Sequence, residues 1–191
     1  MVKNNTIRMN MSLLCLLFCV LFSTLTVVAA VVVYGSEAKG YLVSANQLRK
    51  NTVTFDDSKL NATYKGYTNS AVARWKATNV ITFKRDKSSR NKVLTYSAPN
   101  SGATAYTKSI FSTVDGRIVE FSVNYNKAYM NKKSAKQNRG TATHEFGHTM
   151  GLMDLYNTSN RSKNIMYGVS DRTVYVPSAN DIKGAKYATR K

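Results

Sequence analysis

Along the chain, apolar and polar positions alternate over several short stretches and recur every four residues in others. TVTFDD (Thr52–Asp57) alternates and is rich in β-branched residues, which predicts a strand. VITF (Val80–Phe83), KVLTYS (Lys92–Ser97), ATAYTKSI (Ala103–Ile110) and RIVEFSVNY (Arg117–Tyr125) predict four more, with Asp115-Gly116 as a turn between the last two. Tyr67, Ala71 and Trp75 recur at helical spacing, with Thr68, Asn69 or Ser70 as candidate caps, and the lone tryptophan reads as core. A second helix is predicted over roughly 137–150 and a short last one near Asn180–Thr189, with a basic loop, NKKSAKQNRG, ahead of the second. Strands mixed with helices, without repeats, predict one α+β domain.

The first stretch stands apart. Lys3 and Arg8 precede a run from Met11 to Tyr34 with no charged residue, and the next charge is Glu37. A basic start followed by an apolar run is the layout of an export signal, and Ser36-Glu37-Ala38 offers small residues at a cleavage site. The run also exceeds the roughly 20 residues that cross a bilayer as a helix, so an uncleaved membrane anchor is the competing reading. Either way the remainder is expected outside the cell, secreted or held on the outer face of the membrane. The expected division is 1–38 signal or anchor, 39–50 linker and 51–191 catalytic domain.

Cys15 and Cys19 both lie inside the apolar run, so the exported part can form no disulfide. The formal net charge is +18 in a chain of 191 residues, and loss of residues 1–38 barely changes it. Such a field attracts polyanions. Export and the lack of a nucleic-acid motif favour an anionic cell-wall or membrane surface over nucleic acid.

The candidate chemistry sits in T-H-E-F-G-H-T-M-G-L-M-D, from Thr143 to Asp154. His144 and His148, the only two histidines, are four residues apart and therefore stack on one helix face, where both imidazoles can reach one zinc ion. Glu145 can touch the metal's water without binding the metal. The third ligand follows by exclusion. No glutamate or histidine occurs beyond His148, which leaves Asp154, Asp171 and Asp181. Gly151 can end the helix in a left-handed conformation and let the chain turn back to aim Asp154 at the metal.

H-E-x-x-H-x-x-G-x-x-D followed by a later methionine resembles the metzincin clan of zinc proteases. Aspartate as third ligand resembles the snapalysins, and the rest of the chain, about 50–190, resembles the matrixin catalytic domain. The resemblance implies a twisted mixed sheet, a long active-site helix and a C-terminal helix over Ser178–Ala188. It makes Met166, in N-I-M-Y, the methionine of the turn under the metal, although a methionine can equally fill a core gap. It also implies that substrate lies extended along an edge strand at Thr104, Ala105 and Tyr106, in a pocket walled by about Val169–Tyr175. Two matrixin features are missing. There is no spare histidine for a second, structural zinc, and no cysteine in the exported part to block the first. Tyr167 follows Met166 directly, one position short of where some metzincins place an extra tyrosine ligand, and receives no such role.

The expected function is an exported, monomeric zinc endopeptidase acting on protein or peptide, with Glu145 as general base. The competing expectation is a basic cell-wall or polyanion-binding protein whose metal site is inert or structural.

Overall fold

Trp75 fixes how the two long helices meet. The computed structural model describes residues 34–190. In it the Trp75 side chain is fully buried and its indole N–H donates to the Thr143 carbonyl at 2.8 Å. That bond pins helix α1 (Ala62–Lys76) against helix α3 (Ala135–His148), which carries the HExxH motif. On α3, Phe146 faces the sheet and meets Phe83 and Phe55 edge-on, with ring centroids 4.9 and 5.8 Å away. Each such aromatic pair adds about 0.5–1.5 kcal/mol beyond its buried area. The apolar side of α3 is thus tied to the core and sets the direction of its other face.

The sheet is mixed, as expected. Strands β3 (Thr52–Phe55) and β4 (Thr82–Arg85) pair in parallel. Strands β5 (Lys92–Tyr96), β6 (Ala105–Phe111) and β7 (Ile118–Asn126) form a second group in the order β5-β7-β6. β5 and β7 are parallel, β7 and β6 antiparallel, and an Asp56–Lys92 bridge joins the two groups. Strand β6 pairs only with β7 among the described residues, which leaves one of its sides as a free edge. A short helix α2 (Lys127–Met130) follows β7, and α4 (Ala179–Thr189) closes the chain. This is the α+β architecture anticipated from the residues, with the long motif-bearing helix and the C-terminal helix that the metzincin resemblance implies.

Three boundaries differ from expectation for identifiable reasons. Helix α1 begins six residues before Thr68, because Asn61 caps it by accepting from the Tyr64 N–H at 3.1 Å. Thr68 sits inside the helix, its hydroxyl turned back onto the Tyr64 carbonyl at 3.1 Å, so it needs no cap geometry to be satisfied. Strand β4 starts at Thr82 rather than Val80, because its register follows β3, and Val80 and Ile81 are buried without being paired. The stretch 39–50, read as a linker, is packed onto the domain. Strand β2 (Tyr41–Val43) pairs with β1 (Tyr34–Ser36), Val43 and Leu48 are buried, and Ser44 N and Leu48 N donate to the carbonyls of Gly151 and Met150 just past the end of α3.

The apolar run from Met11 lies outside the described residues up to its last position, Tyr34. Among the described residues no helix is long and apolar enough to cross a membrane.

Candidate metal centre

Helix α3 starts at a reciprocal cap. Ser134 Oγ accepts from Gln137 N–H, and the Gln137 side chain accepts from Ser134 N–H at 3.0 Å. It ends at His148, and Gly151 then takes φ +103°. A side chain at Gly151 would meet the Asn46 carbonyl at 2.5 Å, so glycine serves both the turn and the close approach. Past that turn the chain doubles back and brings Asp154 beside the two histidines.

The three side chains converge. His144 Nε2 lies 3.0 Å from His148 Nε2 and 3.1 Å from Asp154 Oδ1, and His148 Nε2 lies 3.5 Å from the same oxygen. In a tetrahedral site with bonds of about 2.0–2.1 Å, neighbouring donor atoms stand about 3.3 Å apart, so the spacing suits one ion. The other ring nitrogens are committed. His144 Nδ1 lies 2.9 Å from the Ile165 carbonyl and His148 Nδ1 lies 2.7 Å from the Leu152 carbonyl. A carbonyl only accepts, so both Nδ1 atoms must carry the proton, and in the neutral rings both Nε2 atoms carry lone pairs. With both rings neutral, Asp154 Oδ1 is buried and accepts no hydrogen bond. Three acceptors facing one point without a donor need a cation, and this donor set fits a divalent metal.

Electrostatics give the same account for the metal-free chain. Burial lowers the pKa of His144, aided by the field of Arg172. Burial also works against His148, but the Asp154 hydrogen bond and the charges of Glu145 and Asp154 outweigh it and raise that ring to about 9. For Asp154, burial is overcome by the two imidazoles, and its carboxyl falls far below the usual range. One proton on His148 therefore takes the place of the metal.

Beneath the site lies the segment 164–167. Glycine at 147 makes room for it, because a side chain there would collide with the Met166 sulfur. The turn is held by Asp181, which is fully buried at the start of α4. Its carboxylate accepts from Ile165 N at 2.9 Å, Met166 N at 3.3 Å and Ser178 N at 2.7 Å. Burial nevertheless keeps the Asp181 pKa above that of an ordinary aspartate.

Glu145 is buried, and its Oε2 accepts from the Thr107 hydroxyl at 2.8 Å. Thr107 belongs to β6, so the edge strand and the motif helix are tied directly at this carboxylate. A cavity of about 650 Å³ opens over the site. Its lining includes Thr104, Ala105, Tyr106 and Thr107 of β6 and the turn before it, and Gly168, Val169, Ser170 and Arg172 of the segment after Met166.

A family model for peptidase M43, described as pregnancy-associated plasma protein-A, matches residues 74–186, more than half of the chain. The chain belongs to the M43 peptidase family. No curated protein matches it. Among solved structures, one titled "GM1 bound form of the ECX AB5 holotoxin" is similar at 16% identity with a TM-score of 0.56, covering 82% of this chain and 91% of that one. Another, "Structure of myroilysin", gives 16% identity and a TM-score of 0.49, covering 77% and 97%. The first likeness shows a shared fold.

Within this M43 domain the structure brings together His144, Glu145, His148 and Asp154 and lines the same cavity with Thr104–Tyr106, while Met166 packs against Gly147 of the motif helix. Sequence reasoning gave no individual role to Thr107 or Glu37, had Arg172 only as part of the wall expected around Val169–Tyr175, and had Asp181 only as a candidate third ligand. Glu37 accepts from Tyr156 N at 2.6 Å, Asn157 N at 3.2 Å and Asn160 Nδ2 at 2.8 Å, steadying the loop just after Asp154. Only Asp181 left a local signal, the Ser178-x-x-Asp181 cap pattern.

Two outcomes are expected. Gly147→Ala pushes Met166 from beneath the site, destabilising the domain by about 1–3 kcal/mol and weakening metal binding, as read by thermal unfolding with and without metal. Metal binding near pH 7 displaces about one proton, because His148 is raised and still protonated there. Metal affinity therefore rises about tenfold per pH unit as pH increases toward about 9, as read by calorimetry in buffers of different ionisation enthalpy.

Proposed function

We propose that this M43 peptidase is an exported zinc endopeptidase. His144, His148 and Asp154 hold Zn2+, Glu145 is the general base and Met166 forms the turn below the metal. The observation that carries this reading is the placement of a buried carboxylate, Glu145, beside three converging lone-pair atoms inside a cavity bordered by a free strand edge. Aspartate as the third ligand keeps the likeness to snapalysins, and the order of strands and helices keeps the likeness to matrixins.

When bound, zinc supplies a Lewis acid that brings the pKa of water down from 15.7 to about 7 and polarises the scissile carbonyl. The protein supplies the rest. A peptide extends along the free edge of β6 near Thr104–Tyr106 and adds its backbone to the sheet. Glu145 takes the proton of the attacking water on its carboxylate and returns it to the leaving amine. Thr107, donating to Oε2, leaves Oε1 as the oxygen free for that proton. The domain acts as a monomer, and its basic surface holds it to an anionic wall or membrane face outside the cell.

The test is casein hydrolysis by the purified, zinc-loaded chain beside Glu145→Ala. The variant keeps one zinc per chain and loses roughly 10²–10⁴ in rate. Equal rates overturn the assignment of Glu145. Zinc bound by both with no hydrolysis of any peptide by either favours a binding protein with an inert metal site.

A further inference from the structure

Arg172 is 7% exposed, yet it lines the cavity over the metal centre. One guanidinium nitrogen donates to the Tyr167 carbonyl at 2.8 Å, which fixes the group in place. The neighbouring acid, Asp171, is taken by Arg161 at 3.0 Å. Among the described residues no carboxylate pairs with Arg172 within 4.0 Å. A guanidinium has five N–H donors, and one carbonyl leaves most of them without a protein partner.

The charge balance of the cavity gives this group a purpose. Its charged lining side chains are Glu145, Asp154 and Arg172. A divalent metal is balanced by the two carboxylates, which leaves Arg172 as the uncompensated charge. Holding an unpaired cation out of water is costly, and a carboxylate meeting the guanidinium fork relieves that cost with charge-assisted bonds. A lysine or arginine side chain entering the same space is repelled. The net charge of +18 draws acidic polypeptides toward the protein in the first place.

We propose that Arg172 is a specificity-determining residue and that the cavity selects substrates carrying a carboxylate next to the scissile bond. The inference rests on the peptidase reading above. The carboxylate can come from an aspartate or glutamate side chain or from the end of a peptide.

The test uses the full zinc-loaded chain and end-blocked peptides that differ only in Glu, Gln or Lys, scanned over the positions flanking the cut. One further peptide ends at the preferred position with a free carboxylate. At one position, Glu is expected to exceed Gln by roughly tenfold in kcat/KM, with Lys poorest. Arg172→Gln brings the Glu-to-Gln ratio close to one, and Arg172→Glu turns the preference toward Lys. Faster cleavage of the free-carboxylate peptide than of the blocked Glu peptide identifies the chain end as the source, and the reverse identifies the side chain. A wild-type ratio near one at every position overturns the proposal while leaving the peptidase reading intact, whether or not the variants fold. Binding of the same peptides to zinc-loaded Glu145→Gln, with and without Arg172→Gln, separates the two claims. If nothing is cut but the Glu peptide binds tighter only when Arg172 is present, the carboxylate site stands and the peptidase reading fails. If nothing is cut and the peptides bind alike, both fail.

Discussion

Two backbone carbonyls decide the chemistry of this protein. By accepting the Nδ1 protons of His144 and His148, the carbonyls of Ile165 and Leu152 force both Nε2 lone pairs toward the Asp154 carboxylate. Three electron-rich atoms held within 3.5 Å of one another repel unless a cation lies between them. A proton on His148 answers that demand partly, and a divalent ion answers it better because it meets all three atoms at once. The fold can be understood as the means of holding those two carbonyls still.

Each carbonyl belongs to a segment braced from elsewhere. Ile165 leads into Met166, whose position depends on the bare surface of Gly147 above and on the buried carboxylate of Asp181 at the start of α4. Leu152 lies on the return from Gly151 and bridges to Val43 of β2. Asp154 stands just before a loop steadied by Glu37. The helix that carries the histidines is anchored on its opposite face by Phe146 among the aromatic residues and by the bond from Trp75. The N-terminal hairpin and the C-terminal helix, distant in sequence, therefore converge on the same few atoms.

This explains what could be read from residues alone. The i, i+4 histidines, the helix-ending Gly151 and the aspartate after it are local, and local spacing fixes their geometry. The strands of the central sheet were visible as alternation, within a residue or two at their ends. Asn61 was overlooked as a cap because Thr68–Ser70 carry the same side-chain chemistry, and only the position of the core decides which one is used. The individual contacts of Thr107, Arg172 and Glu37 left no local trace, although Arg172 falls within the wall expected around Val169–Tyr175. Their roles arise from contacts across 38, 5 and more than 100 residues of chain respectively, and the short-range one depends on which way a turn faces. The stretch 39–50 reads as a linker because it is short and carries Lys39, Arg49 and Lys50 among polar residues. Its backbone donors, which no side-chain pattern reveals, tie it to the end of the metal helix.

The most direct check is the equilibrium affinity of the chain for zinc, compared with that of Asp154→Ala. If the two imidazoles and this carboxylate form one site, the wild type binds one ion per chain and the variant binds more than roughly a hundredfold more weakly, with the fold retained. An unchanged affinity in a folded Asp154→Ala chain would contradict the account, because the third ligand would then have to come from elsewhere.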